Sequence, residues 1–162
     1  MRPRLCHREI NHPRRVSAGQ KEGVQKVSVP SGERGESKFQ LLIDARNLAV
    51  YTIRICCNPK VFLPQYQNAL TNNIIHVAIA IYMNVWNANN IMVKTAEDLH
   101  ERKEHQKKAV SYCNDLLALM EMAKTLFHLS SKRIKYWGGF TIEVRNGIRA
   151  WIDSDRKRFR FE

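Results

Sequence analysis

For 33 residues between Lys60 and Lys94 the chain carries no Asp, Glu, Lys or Arg, and from Gln65 through Trp137 it has neither glycine nor proline. Each lack excludes something. Without glycine or proline there is no turn chemistry for hairpins, so the long central segment reads as helix rather than as a meander of short strands. Without charge, a helix there has no fully solvated face and needs cover on more than one side. Cysteine is also scarce, at positions 6, 56, 57 and 113. No C-x-x-C occurs, which excludes a zinc knuckle. No secretory apolar segment is visible, so nothing argues for an oxidising compartment, and buried free thiols are the expectation. Acids are few as well: 15 against 27 Lys plus Arg, a formal net charge of +12. A surface of that sign attracts polyanions.

The uncharged stretch argues against a membrane span. Its most apolar window, Ile74 to Val93, includes His76, Asn84, Asn87, Asn89 and Asn90, side chains that are costly in hydrocarbon. On a helical wheel Leu70, Ile74, Val77, Ile81, Val85 and Ala88 form one apolar stripe, and Ile75, Ile79, Tyr82 and Trp86 form a second. Two stripes fit a helix packed on its own bundle on one side and on a neighbouring subunit on the next. A soluble, cytoplasmic, homo-oligomeric protein is therefore expected, with Ile75, Ile79, Tyr82 and Trp86 at the oligomer interface.

One domain is expected at 162 residues. Residues 1–36 contain no Phe, Tyr or Trp, four of the seven glycines and three of the five prolines. That composition predicts a disordered basic arm. Its first fifteen residues are acid-poor, as in a transit peptide, but short of serine. Beyond it the spacing predicts four helices. The first spans about 38–57, with Phe39, Leu42, Ala49, Ile53 and Cys56 inward, and breaks at Asn58-Pro59. The second covers about 66–91. A third opens at Thr95 with Asp98 in capping-box spacing. Its charged first turns, Glu97 to Lys108, are expected to project past the core, before Ala109, Cys113, Leu116, Met120, Ala123 and Phe127 turn inward. A fourth, capped by Ser130 or Ser131, spans about 131–154, with Ile134, Trp137, Thr141, Val144, Ile148 and Trp151 inward. Gly138-Gly139 marks a candidate close backbone approach. The fold class expected is all-α: an antiparallel up-down-up-down four-helix bundle over 37–156, with a basic tail over 157–162.

Catalytic motifs are missing. His100-Glu101-Arg102-Lys103-Glu104-His105 exceeds H-E-x-x-H by one residue, which places the two histidines about 140° apart on a helix, too far to share a metal. Glu97 to His100 has the Glu-x-x-His spacing of di-iron bundles, but nothing supplies its pair. No glycine-rich phosphate loop and no G-x-S-x-G elbow occurs. No enzyme, cofactor or metal is expected. The basic residues are more informative. With Arg145 as origin on the helix-four wheel, Arg149 lies at about 40°, Arg156 at about 20° and Lys135 at about 80°, beside the inner seam at about 240–340°. This cationic strip runs on into Arg156-Lys157-Arg158-Phe159-Arg160-Phe161. Alternating Arg and Phe suits phosphate contact with stacking on an unpaired base. Lys135, Arg145, Arg149, Arg156, Lys157, Arg158 and Arg160 are the candidate polyanion-binding residues. A basic face that docks an acidic protein partner is the alternative.

Several short motifs occur in a particular order: Tyr51-Thr52-Ile53; Asn58-Pro59-Lys60 followed by Phe62, Pro64 and Tyr66; Ile81-Tyr82; and Asn87-Ala88-Asn89. They continue with Gln106, Ala109, Tyr112-Cys113 and Leu116-Leu117, then Tyr136-Trp137-Gly138, then Val144, Ile148, Trp151 and Ser154-Asp155-Arg156. Together they resemble the Avd-like proteins, the accessory variability determinants of diversity-generating retroelements. Related four-helix proteins are encoded in intervening sequences of large-subunit ribosomal RNA. The resemblance covers about 38–158, and order and spacing carry it rather than any single motif. It implies a non-enzymatic bundle that assembles as a pentamer, binds RNA and DNA through a basic surface, and partners a reverse transcriptase. Relatives often carry Lys or Arg around the proline that opens helix two. This chain has Gln65 and Gln67 there, so nucleic-acid contact is not carried over to that corner.

Overall fold

Where the sequence breaks its helical periodicity, the helices end. The structure, a computed structural model, describes residues 31–159, with side chains from Phe39 onward. Four helices follow in order: α1 Ser31–Cys56, α2 Asn72–Asn90, α3 Ala96–Leu126 and α4 Ser131–Arg158. Among the described residues there is no strand, and no helix is long and apolar enough to cross a membrane. Helix α1 packs on α2 and α4, and α3 packs on the same two.

The stops and starts have local causes. After α1 the Asn58 carbonyl accepts from the backbone N–H groups of Val61 and Phe62, both at 2.9 Å. The Asn58 side chain accepts from Lys60 N–H at 3.0 Å. These bonds make the turn that Pro59 enforces. Pro64–Tyr66 forms a 3₁₀ turn and Gln67–Thr71 a π turn, so the second helical segment is regular only from Asn72. Thr95 caps α3 through a reciprocal box. Asp98 N–H donates to Thr95 Oγ1 at 3.2 Å, and Thr95 N–H donates to the Asp98 carboxylate at 2.9 Å. Backbone N–H groups of Lys94 and then Thr95 hold the Asp98 carboxyl below its ordinary value. Its share of the cap is therefore complete above the usual carboxylate range and fades as pH falls through the depressed folded value. Ser130 caps α4 by accepting from Arg133 N–H at 3.4 Å. Before it, His128 takes a left-handed φ of 50° while Leu129 N–H donates to Lys124 O at 3.1 Å, a Schellman-type stop.

Two expectations shift. Residues 1–30 of the expected arm lie outside the described residues, but 31–36 are the first turns of α1. Gly32 and Gly35 are poor helix formers, yet extending a helix that already exists avoids the nucleation cost. The inner face of α1 is also rotated. Leu41, Ala45, Leu48, Thr52 and Cys56 are its buried positions, with Ala49, while Phe39 is 65% exposed. In the other helices the stripes face inward largely as the spacing predicts: Leu70, Ile74, Ile81, Val85 and Ala88; Ala109, Cys113, Leu116, Met120 and Ala123; Trp137, Thr141, Val144, Ile148 and Trp151. Val77, Phe127 and Ile134 are half-buried. The close approach lies at Gly147 rather than Gly138-Gly139. A Cβ at 147 would come within 2.8 Å of Leu41 Cδ1, while one at 139 would meet nothing within 4 Å.

Aromatic rings fill one end of the core. Phe62 lies 4.6 Å from Phe127 and 6.5 Å from Trp137 between ring centroids. Trp137 Nε1–H donates to Thr52 Oγ1 at 2.9 Å, with both residues fully buried. This bond joins α1 to α4, and an indole N–H buried without its acceptor is costly. Replacing Thr52 with Val keeps the shape and removes the acceptor. Urea denaturation should then show a loss of about 1–3 kcal/mol. A loss under about 0.5 kcal/mol would mean that the indole finds another partner.

Candidate nucleic-acid interface

Helix α4 has to serve two environments. Its inward positions, Trp137, Thr141, Val144, Ile148, Trp151 and Asp155, recur at steps of four and three and are all buried. On α3 the matching series is Arg102, Gln106, Ala109, Cys113, Leu116, Met120 and Ala123. Each series ends in charge. Asp155 accepts from Gln106 Nε2 at 2.9 Å and pairs with Arg102 Nη1 at 3.5 Å. The Arg102 guanidinium also donates to the Ile91 carbonyl. It lies 5.8 Å from the ring centroids of both Trp151 and Phe159. The first turns of α3 therefore do not project past the core: Arg102 and Gln106 are 8% and 2% exposed. Their charge and polarity suggested solvent, whereas their spacing, continuous with Ala109 and Cys113, is that of the seam.

The candidate basic residues occupy the adjoining face. Arg145 is half-buried, and its Nη1 donates to Asn114 Oδ1 of α3 at 2.8 Å. Arg149, Arg156, Lys157 and Arg158 are exposed. Arg156 lies 3.6 Å from Asp153, both well exposed, a pairing that holds neither charge firmly. Arg158 stands 5.2 Å over the Phe159 ring. Lys135 is exposed farther up the helix beside Tyr136. Arg160 lies outside the described residues. The Asn114 contact also identifies which face of α3 borders the strip. Lys103 and Lys107 fall within about 20° of Asn114 on the α3 wheel, so two further cations flank the strip near Arg149 and Arg156. Lys107 is held by Glu104 at 2.8 Å, with both groups half-exposed. Sequence reasoning missed this pair because it needs the α3–α4 register, which the Arg145–Asn114 and Gln106–Asp155 contacts supply.

Charge sits unevenly among the helices. Helix α4 holds Lys132, Arg133, Lys135, Arg145, Arg149, Arg156, Lys157 and Arg158 against Glu143, Asp153 and the buried Asp155, while α2 holds none. Beneath the strip lies Cys113, fully buried, its thiol pushed up to about 12 by burial despite the lowering effect of Arg145 and Arg149. Burial likewise raises Cys56 to about 12. Cys57, expected as a buried thiol, is exposed, and Cys6 lies outside the described residues. Among the described residues no three His, Cys, Asp or Glu side chains come together as metal ligands would.

Among the described residues the second apolar stripe of α2 is only partly covered. Ile79 and Trp86 are 40% and 41% exposed. Ile75 and Tyr82 are half-buried, and the Tyr82 ring lies 6.3 Å from that of Trp86. Compared with known proteins, the chain matches no family model, no curated protein and no solved structure.

Removing one partner of the buried pair strands the other. Asp155→Ala and Arg102→Met should each cost about 3–5 kcal/mol in denaturant titration, and the double variant should cost less than the sum of the two. Additive losses would show that the pair is not coupled.

Proposed function

We propose that this chain is a non-enzymatic, homo-oligomeric accessory protein that binds RNA template or single-stranded cDNA along α4 and works beside a reverse transcriptase. This is the role of the Avd-like family that its motifs resemble. One observation carries the reading: on α4 a continuous buried seam lies directly beside a row of arginines, Arg145 half-buried and Arg149, Arg156 and Arg158 exposed, with solvent-exposed Asp153 as the one acid among the described residues paired to it. A surface of this kind neutralises phosphates and reads little sequence. We further infer an antiparallel up-down-up-down bundle. The supporting register is Gln106 against Asp155 and Asn114 against Arg145, ascending along α3 and descending along α4. The proposed location is the cytoplasm.

Self-association is supported by the α2 stripe, since monomers rarely expose contiguous apolar patches of that kind. The pentameric number comes from the resemblance alone. In an assembly the α4 strips of several subunits would act on one polymer, which multiplies a weak contact.

Two variants test this reading. Changing Arg145, Arg149 and Arg156 together to Gln should weaken binding of single-stranded RNA and DNA while the melting temperature stays within a few degrees. Wild-type affinity should fall by about 0.7 log units per log unit of salt for each phosphate neutralised, and the triple variant should show a shallower slope. Equal slopes in the two proteins would place the contact elsewhere. Ile79→Arg should dissociate or aggregate the protein in light scattering. A wild-type monomer at micromolar concentration would contradict the oligomer.

A further inference from the structure

Gly139 lies about a third of the way along α4, and its missing side chain leaves a depression there. The walls are the residues that helical geometry places around position 139: Lys132, Lys135 and Tyr136 on one side, Phe140 and Glu143 on the other. The depression encloses about 770 Å³ and is open to solvent. A Cβ built at Gly139 would meet nothing within 4 Å, so packing does not require glycine at this position, and glycine costs about 1 kcal/mol against alanine in a helix. The floor is bare backbone beside an aromatic wall. Tyr136 is 62% exposed, yet its ring is not loose, because Tyr51 of α1 meets it edge-on at 5.3 Å between centroids. A ring held by such a contact and still 62% exposed can serve as a stacking platform with little rotamer freedom left to lose.

The charges around the platform are of two kinds. Lys132 and Lys135 stand at one rim and Glu143 at the other. A uniformly basic dent would suit any anion. A carboxylate opposite two ammonium groups suits a ligand that has phosphate at one end and N–H donors at the other. A nucleotide has that polarity, since carboxylates accept from the exocyclic amino group of cytosine, while lysines take the phosphate. Position fits as well. Gly139 lies about 9 Å along the helix axis and about 120° around it from Arg145, with Lys135 at about 80° between them, so a strand must wrap around α4 past Lys135 to pass from the arginine strip to the depression.

We propose that the Gly139 depression receives one unpaired nucleobase of a single-stranded nucleic acid. The base stacks on Tyr136, its flanking phosphate meets Lys132 and Lys135, and Glu143 favours a base that carries an amino group. The proposal rests on the nucleic-acid reading of α4 and adds to it a base-dependent contact that phosphate neutralisation does not supply. It also makes the binding selective, since cytosine offers Glu143 an amino donor where uracil offers a carbonyl acceptor.

The experiment uses the full chain and three twelve-nucleotide single strands at fixed salt: oligocytidylate, oligouridylate and an abasic strand of equal length. Each base stacked on an aromatic ring contributes roughly 5- to 100-fold in affinity. Wild-type protein should bind oligocytidylate at least about 5-fold more tightly than the abasic strand, and more tightly than oligouridylate. Gly139→Leu places its Cβ in open space and its side chain over the depression, and should abolish the advantage of bases over the abasic strand while leaving the melting temperature unchanged or raised. Tyr136→Ala should do the same to the advantage. Glu143→Gln should equalise cytidylate and uridylate while both stay above the abasic strand. Wild-type binding equal for all three strands would overturn the base site and leave the phosphate reading of the arginine strip intact. No binding to any strand would overturn both. Binding of bases unaffected by Gly139→Leu would place the base contact elsewhere and overturn the proposal.

Discussion

Asp155 can lie buried at the end of the α4 seam because Arg102 and Gln106 reach it from α3. That meeting fixes how the two longest helices slide against each other. Seam residues recur every three or four positions on both helices, so apolar packing alone would tolerate a shift of one heptad. A charge that must find its partner would not, because a register that left Asp155 against Leu116 or Cys113 would bury an uncompensated carboxylate at a cost of several kcal/mol. The Arg102 guanidinium adds a hydrogen bond to the Ile91 carbonyl and lies beside Trp151 and Phe159. The connection between α2 and α3, the end of α4 and the start of its basic tail are thus tied to one side chain.

The proposed function depends on this register. The arginines of α4 are useful as a row only if the helix cannot turn about its axis. Rotation is prevented at one end by Trp137 donating to Thr52 and at the other by Asp155. Between these anchors Arg145 leans on Asn114, which brings the Lys103 and Lys107 face of α3 alongside. The uncharged α2 packs against α1 and α3 rather than mainly on α4. The basic strip and the apolar stripe thus belong to helices that are not principal neighbours in the bundle.

Much of this was legible in the sequence wherever apolar spacing was strict. Trp137 to Trp151 and Ala109 to Ala123 followed from periodicity, and Thr95 with Asp98 announced the start of α3. The failures have a common origin, which is that residue type was weighed above residue spacing. Arg102 and Gln106 continue the α3 series backwards, but their charge and polarity pointed to solvent; the α4 seam is expected only as far as Trp151, although Asp155 continues it forwards. Phe39 went the other way, read as core for its ring although α1 buries Leu41, Ala45 and Leu48 instead. In the candidate site, the α4 strip could be read from one helix alone. Lys103 and Lys107 could not, since their place beside it depends on the register between two helices; the depression at Gly139 is lined by α4 alone, but the contact of Tyr51 with Tyr136 needs the packing of α1 on α4.

The account stands or falls on whether single-stranded nucleic acid lies along α4. Photo-crosslinking of a 4-thiouridine-labelled single-stranded RNA to the full-length protein, with the crosslinked peptides sequenced, answers this directly. The account predicts crosslinks concentrated between residues 132 and 160, with a smaller set around Lys103 and Lys107. Crosslinks confined to residues 1–30, or to the Ile79 and Trp86 face of α2, would contradict it.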